Sequence, residues 1–133
     1  MVIIGFDPGR DKCGLAVMNT QGDLLYHQVL ESTEAITKVI SLVEQFKAEI
    51  LVIGNQTTSK SWQKQLKEVL PSIPTVEVNE RNSTLEARDR YWMMYPPQGL
   101  TRLLPAGMRL PPRAIDDIVA ILLIERYLTG KRE

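Results

Sequence analysis

The chain has one cysteine, one histidine and no surplus of charge of either sign. Cys13 alone can form neither an intrachain disulfide nor a zinc site, which points to a reducing compartment, the cytoplasm by default. Sixteen Lys and Arg balance sixteen Asp and Glu, so no global field draws the protein to nucleic acid or to a membrane surface. Any charged partner has to be held by a local patch. No apolar run approaches the roughly 20 residues that a bilayer span needs. The N-terminus MVIIGFDPG has no basic flank and no small-residue cleavage site, so neither an export signal nor a membrane anchor is expected. Repeats are missing too, and the nearest thing to a biased tract is the proline-rich stretch at 96–112.

What is present is an ordinary globular composition, 44% hydrophobic and 24% charged over 133 residues. That reads as a single domain spanning 1–133, built round one core. The run VIIGF at 2–6, stopped by Asp7-Pro8-Gly9, has the pattern of a strand buried on both faces. Apolar residues at 14–18, turn chemistry at 19–23 and a more mixed run at 24–30 extend it into a three-stranded antiparallel meander. From Thr33, the spacing of Ile36, Val39, Ile40, Val43 and Phe46 predicts a helix with one buried face. A second apolar strand at 50–53 leads to a helix marked by Trp62, Leu66, Val69 and Leu70 and closed by Pro71. A last strand at 75–78 precedes a helix opened by Ser83-Thr84-Leu85-Glu86, which has capping-box spacing, and ended before Pro96-Pro97. Ile115, Ile118, Val119, Leu122 and Tyr127 give a final helix stopped near Gly130. The expected fold is α/β, a mixed five-stranded sheet flanked by helices, with the first and fourth strands parallel neighbours.

Sites in such sheets gather where strands end at their carboxyl edge, which directs attention to Asp7, Asn55 and Glu80. Asp7 followed by Gly9 and Gly14 suits a metal ligand or a phosphate contact, although Asp-Pro-Gly is also ordinary turn chemistry. An acid after a strand, as at Glu80, is commonplace by itself. Asp116 and Asp117 open the last helix, where carboxylates interact favourably with the helix dipole. Apolar Ala114, Ile115, Ile118 and Val119 around them place the pair near the core, an expensive location for unpaired charge. Carboxylates gathered at one sheet edge would repel one another without a cation, and such a cluster is the usual nest for Mg²⁺ or Mn²⁺ in phosphoryl transfer. Helix phase alone does not choose between Asp116 and Asp117 as the metal ligand. His27 has no evident partner in sequence and receives no role.

The segment 81–113 contains six arginines, no lysine and two acids, a local net charge of +4. Arginine forks match phosphate oxygens, so this segment is a candidate nucleic-acid contact surface, with Arg81, Arg102, Arg109 and Arg113 as its candidate contacts. The bland alternative is a solvated loop. Tyr91, Trp92 and Tyr95 have the chemistry to stack on unpaired bases, Trp92 with the stronger claim to core packing. The stretch from Gly54 to Lys60 superficially suggests a phosphate loop but has no Gly before Lys60, so it is not a Walker A motif. Lys60 is kept as a candidate nucleic-acid contact.

The motifs IIGFDPGRDKCGLAV, VNERNSTLEARD and AIDDIVAILLIERYL, in that order and spacing, resemble the YqgF family, also called RuvX, a branch of the RNase H-like superfamily related to RuvC resolvases. The resemblance implies an RNase H-like fold and a phosphodiesterase dependent on Mg²⁺ or Mn²⁺. The substrate that the resemblance implies is nucleic acid, either branched DNA as in Holliday junction resolution or precursor rRNA in pre-16S maturation. Asp7, Glu80 and Asp116 match the family's acids and Arg81 the arginine of its Asp-Glu-Arg motif. The sequence departs from the family in having Asn79 where Asp is usual, in its stretch at 93–112, and in Gly54-Asn55, where RuvC has a glutamate. That turn looks closer to the YqgF-like domain of the transcription accessory protein Tex. A non-catalytic nucleic-acid binder with a degenerate site is the alternative reading. An actin-like kinase fails on length, since one domain supplies half of that machine. Two-fold branched DNA would suit a homodimer.

Overall fold

The computed structural model describes residues 1–56 and 58–130. Thr57, within the stretch from Gly54 to Lys60, and the last three residues of the expected 1–133 domain lie outside the described residues. Strand β1 spans Val2–Asp7, β2 Lys12–Asn19, β3 Leu24–Glu31, β4 Ile50–Gly54 and β5 Thr75–Val78. Helix α1 is Ala35–Phe46, α2 Ser59–Val69, α3 Ser83–Met94 and α4 Asp116–Leu128, with short 3₁₀ turns at Ser32–Glu34, Gly99–Leu103 and Ala106–Met108. The sheet order is β3-β2-β1-β4-β5. β1 pairs antiparallel with β2 and parallel with β4, and β4 pairs parallel with β5. The expected architecture is therefore the observed one. No helix among the described residues is long and apolar enough to cross a membrane.

Alternation along β1 divides the core in two, because successive side chains leave opposite faces of a strand. Ile3 joins the layer under α3 and α4, while Ile4 and Phe6 join the layer under α1 and α2. Helix α4 has no polar residue from 118 to 124, and all seven side chains there are buried. A fully buried aliphatic side chain is worth about 1.5–3 kcal/mol as an upper estimate, so this helix is the main clamp on its face of the sheet. One local expectation fails. Ser83 is the first residue of α3 and is buried, whereas the cap position falls on Asn82 in a left-handed conformation (φ 60°) with no side-chain capping bond. Asn tolerates that conformation better than most residues, and the turn after Glu80 takes precedence over the capping box.

Candidate active site

Asp7 is the last residue of β1 and lies opposite Gly14 of β2. That pairing brings α4 to the sheet edge. A Cβ on Gly14 would stand 1.9 Å from the Asp116 carbonyl oxygen, so only glycine lets the first residue of α4 rest on β2 beside Asp7. At the end of β4 a second close approach admits the third acid, for a Cβ on Gly54 would lie 2.9 Å from the Glu80 carboxyl group. Two glycines and three acids far apart in sequence thus converge at the carboxyl edge of the sheet.

The side chains are linked by a contact between Asp7 and Asp116 and by the amide of Gln56. Asp7 is 5% exposed, and its carboxyl is pushed up to about 8 by burial first, then by the charges of Asp116 and Glu80, and by a hydrogen bond with Asp116. Two carboxyl groups in hydrogen-bonded contact require a proton between them. The contact raises Asp7 and lowers Asp116. Burial nevertheless holds Asp116 above the ordinary carboxylate range. Gln56 bridges to the third acid, its Nε2 donating to Asp7 Oδ1 at 3.3 Å and to Glu80 Oε2 at 2.8 Å. Glu80 is also raised by burial, against the opposing hydrogen bonds of Gln56 and the charge of Arg126. Its other oxygen, Oε1, is buried without a hydrogen-bond partner. Among the described residues none of the three acids forms a salt bridge.

As the side chains stand, no group of three His, Cys, Asp or Glu among the described residues is disposed to hold a metal ion. The chemistry of the donor set still fits one. The acids are hard oxygen donors and one of them has an orphaned buried oxygen, the donor chemistry that Mg²⁺ or Mn²⁺ takes.

Asp117 has a different surrounding from its neighbour. It is 2% exposed. Its Oδ2 lies 2.6 Å from His27 Nδ1, Arg113 donates to both its oxygens at 3.0 and 3.3 Å, and the Ile118 amide donates to Oδ1. Asp116 therefore faces Asp7 while Asp117 is engaged by a histidine and an arginine. The partner of His27 lies 90 residues away in sequence, which is why no local pattern could reveal it.

Three further residues shape the site in roles the sequence reading did not assign to them. Gln56 is one. Arg126 of α4, 12% exposed, donates to the Asn79 carbonyl at 2.7 Å and pairs with Glu86 at 3.1 Å, tying the end of β5 to the helix. Asn79 accepts from the Arg81 amide at 2.8 Å, a side-chain-to-backbone turn that sets the corner carrying Glu80. The remaining candidates are scattered. Arg81 and Arg102 are exposed and free of side-chain partners among the described residues. Arg109 donates to the carbonyls of Leu104 and Arg102. Lys60 pairs with Glu77 at 2.6 Å.

The family profile described as Tex protein YqgF-like domain matches residues 1–85. The chain belongs to this YqgF-like family. The protein YdcI of Bacillus subtilis (strain 168) is 32% identical over 95 residues, which is 62% of this chain but 13% of YdcI. A candidate pre-16S rRNA nuclease of Staphylococcus carnosus (strain TM300) is 27% identical over 145 aligned positions, covering 95% of this chain and 94% of its own. Among solved structures, Thermus thermophilus RuvC superposes with a TM-score of 0.62 at 16% identity, covering 100% of this chain and 99% of its own. Fowlpox virus resolvase, solved with Holliday junction DNA, gives 0.67 at 13% identity over 98% of both chains. The YqgF-like chain therefore has the RNase H-like fold shared by these resolvases.

Proposed function

We propose that the protein is a divalent-metal-dependent nuclease that hydrolyses phosphodiester bonds in structured nucleic acid inside the cell. The observation that carries this reading is the convergence of Asp7, Glu80 and Asp116 at the carboxyl edge, raised in proton affinity and without a salt bridge. Such a cluster is costly for the fold, and a bound Mg²⁺ or Mn²⁺ would offset that cost while supplying charge neutralisation at the scissile phosphate. Asp7, Glu80 and Asp116 would hold it. Gln56 would turn its amide from the carboxylates to a phosphate oxygen or a water. Exposed Arg81 and Arg102 supply forked donors for the flanking backbone. The substrate classes follow from the relatives: precursor rRNA from the Staphylococcus protein, a branched DNA junction from the poxvirus resolvase. A homodimer would present two sites to a two-fold junction.

A second reading, binding without cleavage, is favoured by one observation: an amide, that of Gln56, stands between two of the acids. The deciding experiment incubates the protein with Mn²⁺ or Mg²⁺ and labelled junction DNA, duplex and precursor rRNA, with EDTA as control. Metal-dependent products support the nuclease. Binding to the same substrates with no product, and cleavage gained only in Gln56→Glu, would support the binder.

A further inference from the structure

Beside the strap that joins α3 to α4, the end of α3 and the strap enclose a pocket of about 320 Å³. Its walls are unusual for this molecule, which has 6% aromatic residues. Three of its lining side chains are Tyr91, Trp92 and Tyr95, and two more are Pro96 and Pro112. The rings form a connected set. Tyr91 packs edge-on against Trp92 at 5.0 Å and tilted against Tyr95 at 5.1 Å between centroids. Only two lining residues are polar and uncharged, Gln98 and Thr101. A volume in the range of small-molecule sites, apolar flat walls and a few amide or hydroxyl groups make a site for a planar heterocycle.

The walls are fixed by contacts that lead back to α4. The indole of Trp92 donates to the Arg109 carbonyl at 3.2 Å, which pins the strap across the helix. Arg113, gripped by Asp117, lies over the rings of Tyr91 and Tyr95 at 5.3 and 5.8 Å. It does not line the pocket, so it backs the tyrosines rather than filling the space. The Tyr95 hydroxyl lies 3.5 Å from Nε2 of His27, whose Nδ1 meets the same Asp117. Thus Asp117 holds both groups that orient Tyr95, and it follows Asp116 directly. Arg102, exposed and next in sequence to the lining residue Thr101, is the nearby cation left unpaired among the described residues, since Arg113 is held by Asp117.

We propose that this pocket takes one unpaired nucleobase of the nucleic-acid substrate, stacked on Tyr95 and met at its edge by Gln98 and Thr101, with the adjoining phosphates facing Arg102. The inference rests on the nucleic-acid reading above and adds to it a preference for substrates with an extruded or unpaired base. Aromatic stacking supplies affinity without demanding a particular sequence, because every base has a π-face. The connection through Asp117 fixes the pocket relative to the carboxylates, so a base seated there sets which phosphate reaches Asp7 and Asp116.

The test measures binding in Ca²⁺, using duplexes that carry 2-aminopurine either paired or as a single-base bulge. The wild-type protein should favour the bulge and quench its fluorescence. Tyr95→Ala should lower the bulge-over-duplex preference about fivefold or more, the lower end of what one stacked base contributes. Tyr95→Phe, which keeps the ring, should retain it. Thr101→Phe, which fills the space without removing a ring, should also abolish the preference, and thermal melts establish that each variant is folded. Equal binding of bulged and flush duplex by the wild type, or an unchanged preference in Tyr95→Ala and Thr101→Phe, would overturn the pocket. Cleavage of substrates in Mn²⁺ with no bulge preference would leave the nuclease standing without it. Absence of all nucleic-acid binding would remove both.

Discussion

At the carboxyl edge of the sheet three acids meet without a salt bridge among the described residues, whereas in the segment 81–113 half of the six arginines are already spent. Arg90 forks onto Glu125, Arg113 onto Asp117, and Arg109 onto two carbonyls of its own strap. The net charge of +4 in this segment therefore overstates the field it offers to a phosphate chain. The acids carry the reverse lesson. Scattered across the sequence at 7, 80 and 116, they count for nothing as a local patch, yet the fold concentrates them where burial raises their proton affinity. Charge that is free for function is decided by which groups the fold leaves unpaired.

The contrast can be broken most sharply at Asp7. Asp7→Asn keeps the shape and removes the anion, so divalent-dependent cleavage should fall to background in a labelled-substrate assay. The same change should stabilise the metal-free protein at neutral pH. With a folded value of about 8 against an ordinary 3.8, the folded chain holds this proton more tightly than the unfolded chain. Its contribution is full below pH 4 and is lost as pH rises to about 8, by an amount on the order of a few kcal/mol. Melts in EDTA should find wild type and variant alike near pH 4, with the variant several degrees higher at pH 8. A constant difference across that range would remove Asp7 as the origin.

The two glycines separate folding from site geometry. Gly14→Ala drives a methyl into the backbone of Asp116, and relief requires moving α4, so a loss of about 2 kcal/mol or more is expected from denaturant unfolding. At Gly54 the obstruction is the end of the Glu80 side chain, which can swing away. Gly54→Ala should cost less than about 1 kcal/mol while lowering cleavage and weakening the rise in melting temperature on adding Mn²⁺. Equal losses of stability in the two variants would contradict this division.

Much of the fold was legible because its signals are local. The apolar runs of β1 and β4, the turn before β3 and the three-and-four spacing of α1 each fix an element within a few residues, and their order fixes the crossovers. The acids were legible as strand-end and helix-start residues, and the choice between Asp116 and Asp117 was not. That choice depends on His27 and Arg113, and the His27 contact spans strand β3 and helix α4 without any local pattern. Gln56 was passed over because a polar residue after a strand is unremarkable until Glu80 arrives opposite it. The capping box at Ser83 misled because the turn at Asn79 and Asn82 starts the helix one residue earlier than a Ser83 cap would.

The smallest effect distinguishes free from spent arginines. Each phosphate neutralised by a cation releases counterions, and log K falls with log salt by about 0.9 per contact on duplex DNA and about 0.7 on single strands. Arg81 and Arg102 have exposed, unpartnered guanidinium groups among the described residues, so replacing both by alanine should flatten the slope by roughly one to two units and weaken all sequences alike. Arg109 offers little to a phosphate while it holds Leu104 and Arg102. Arg109→Ala should change the slope by less than about half a unit, with its cost appearing instead as loosening of the strap. Binding titrations in Ca²⁺ across a salt series measure both. A slope change for Arg109→Ala as large as that for Arg102→Ala would mean that its carbonyl contacts yield to phosphate, and the division of this segment into free and spent arginines would fail.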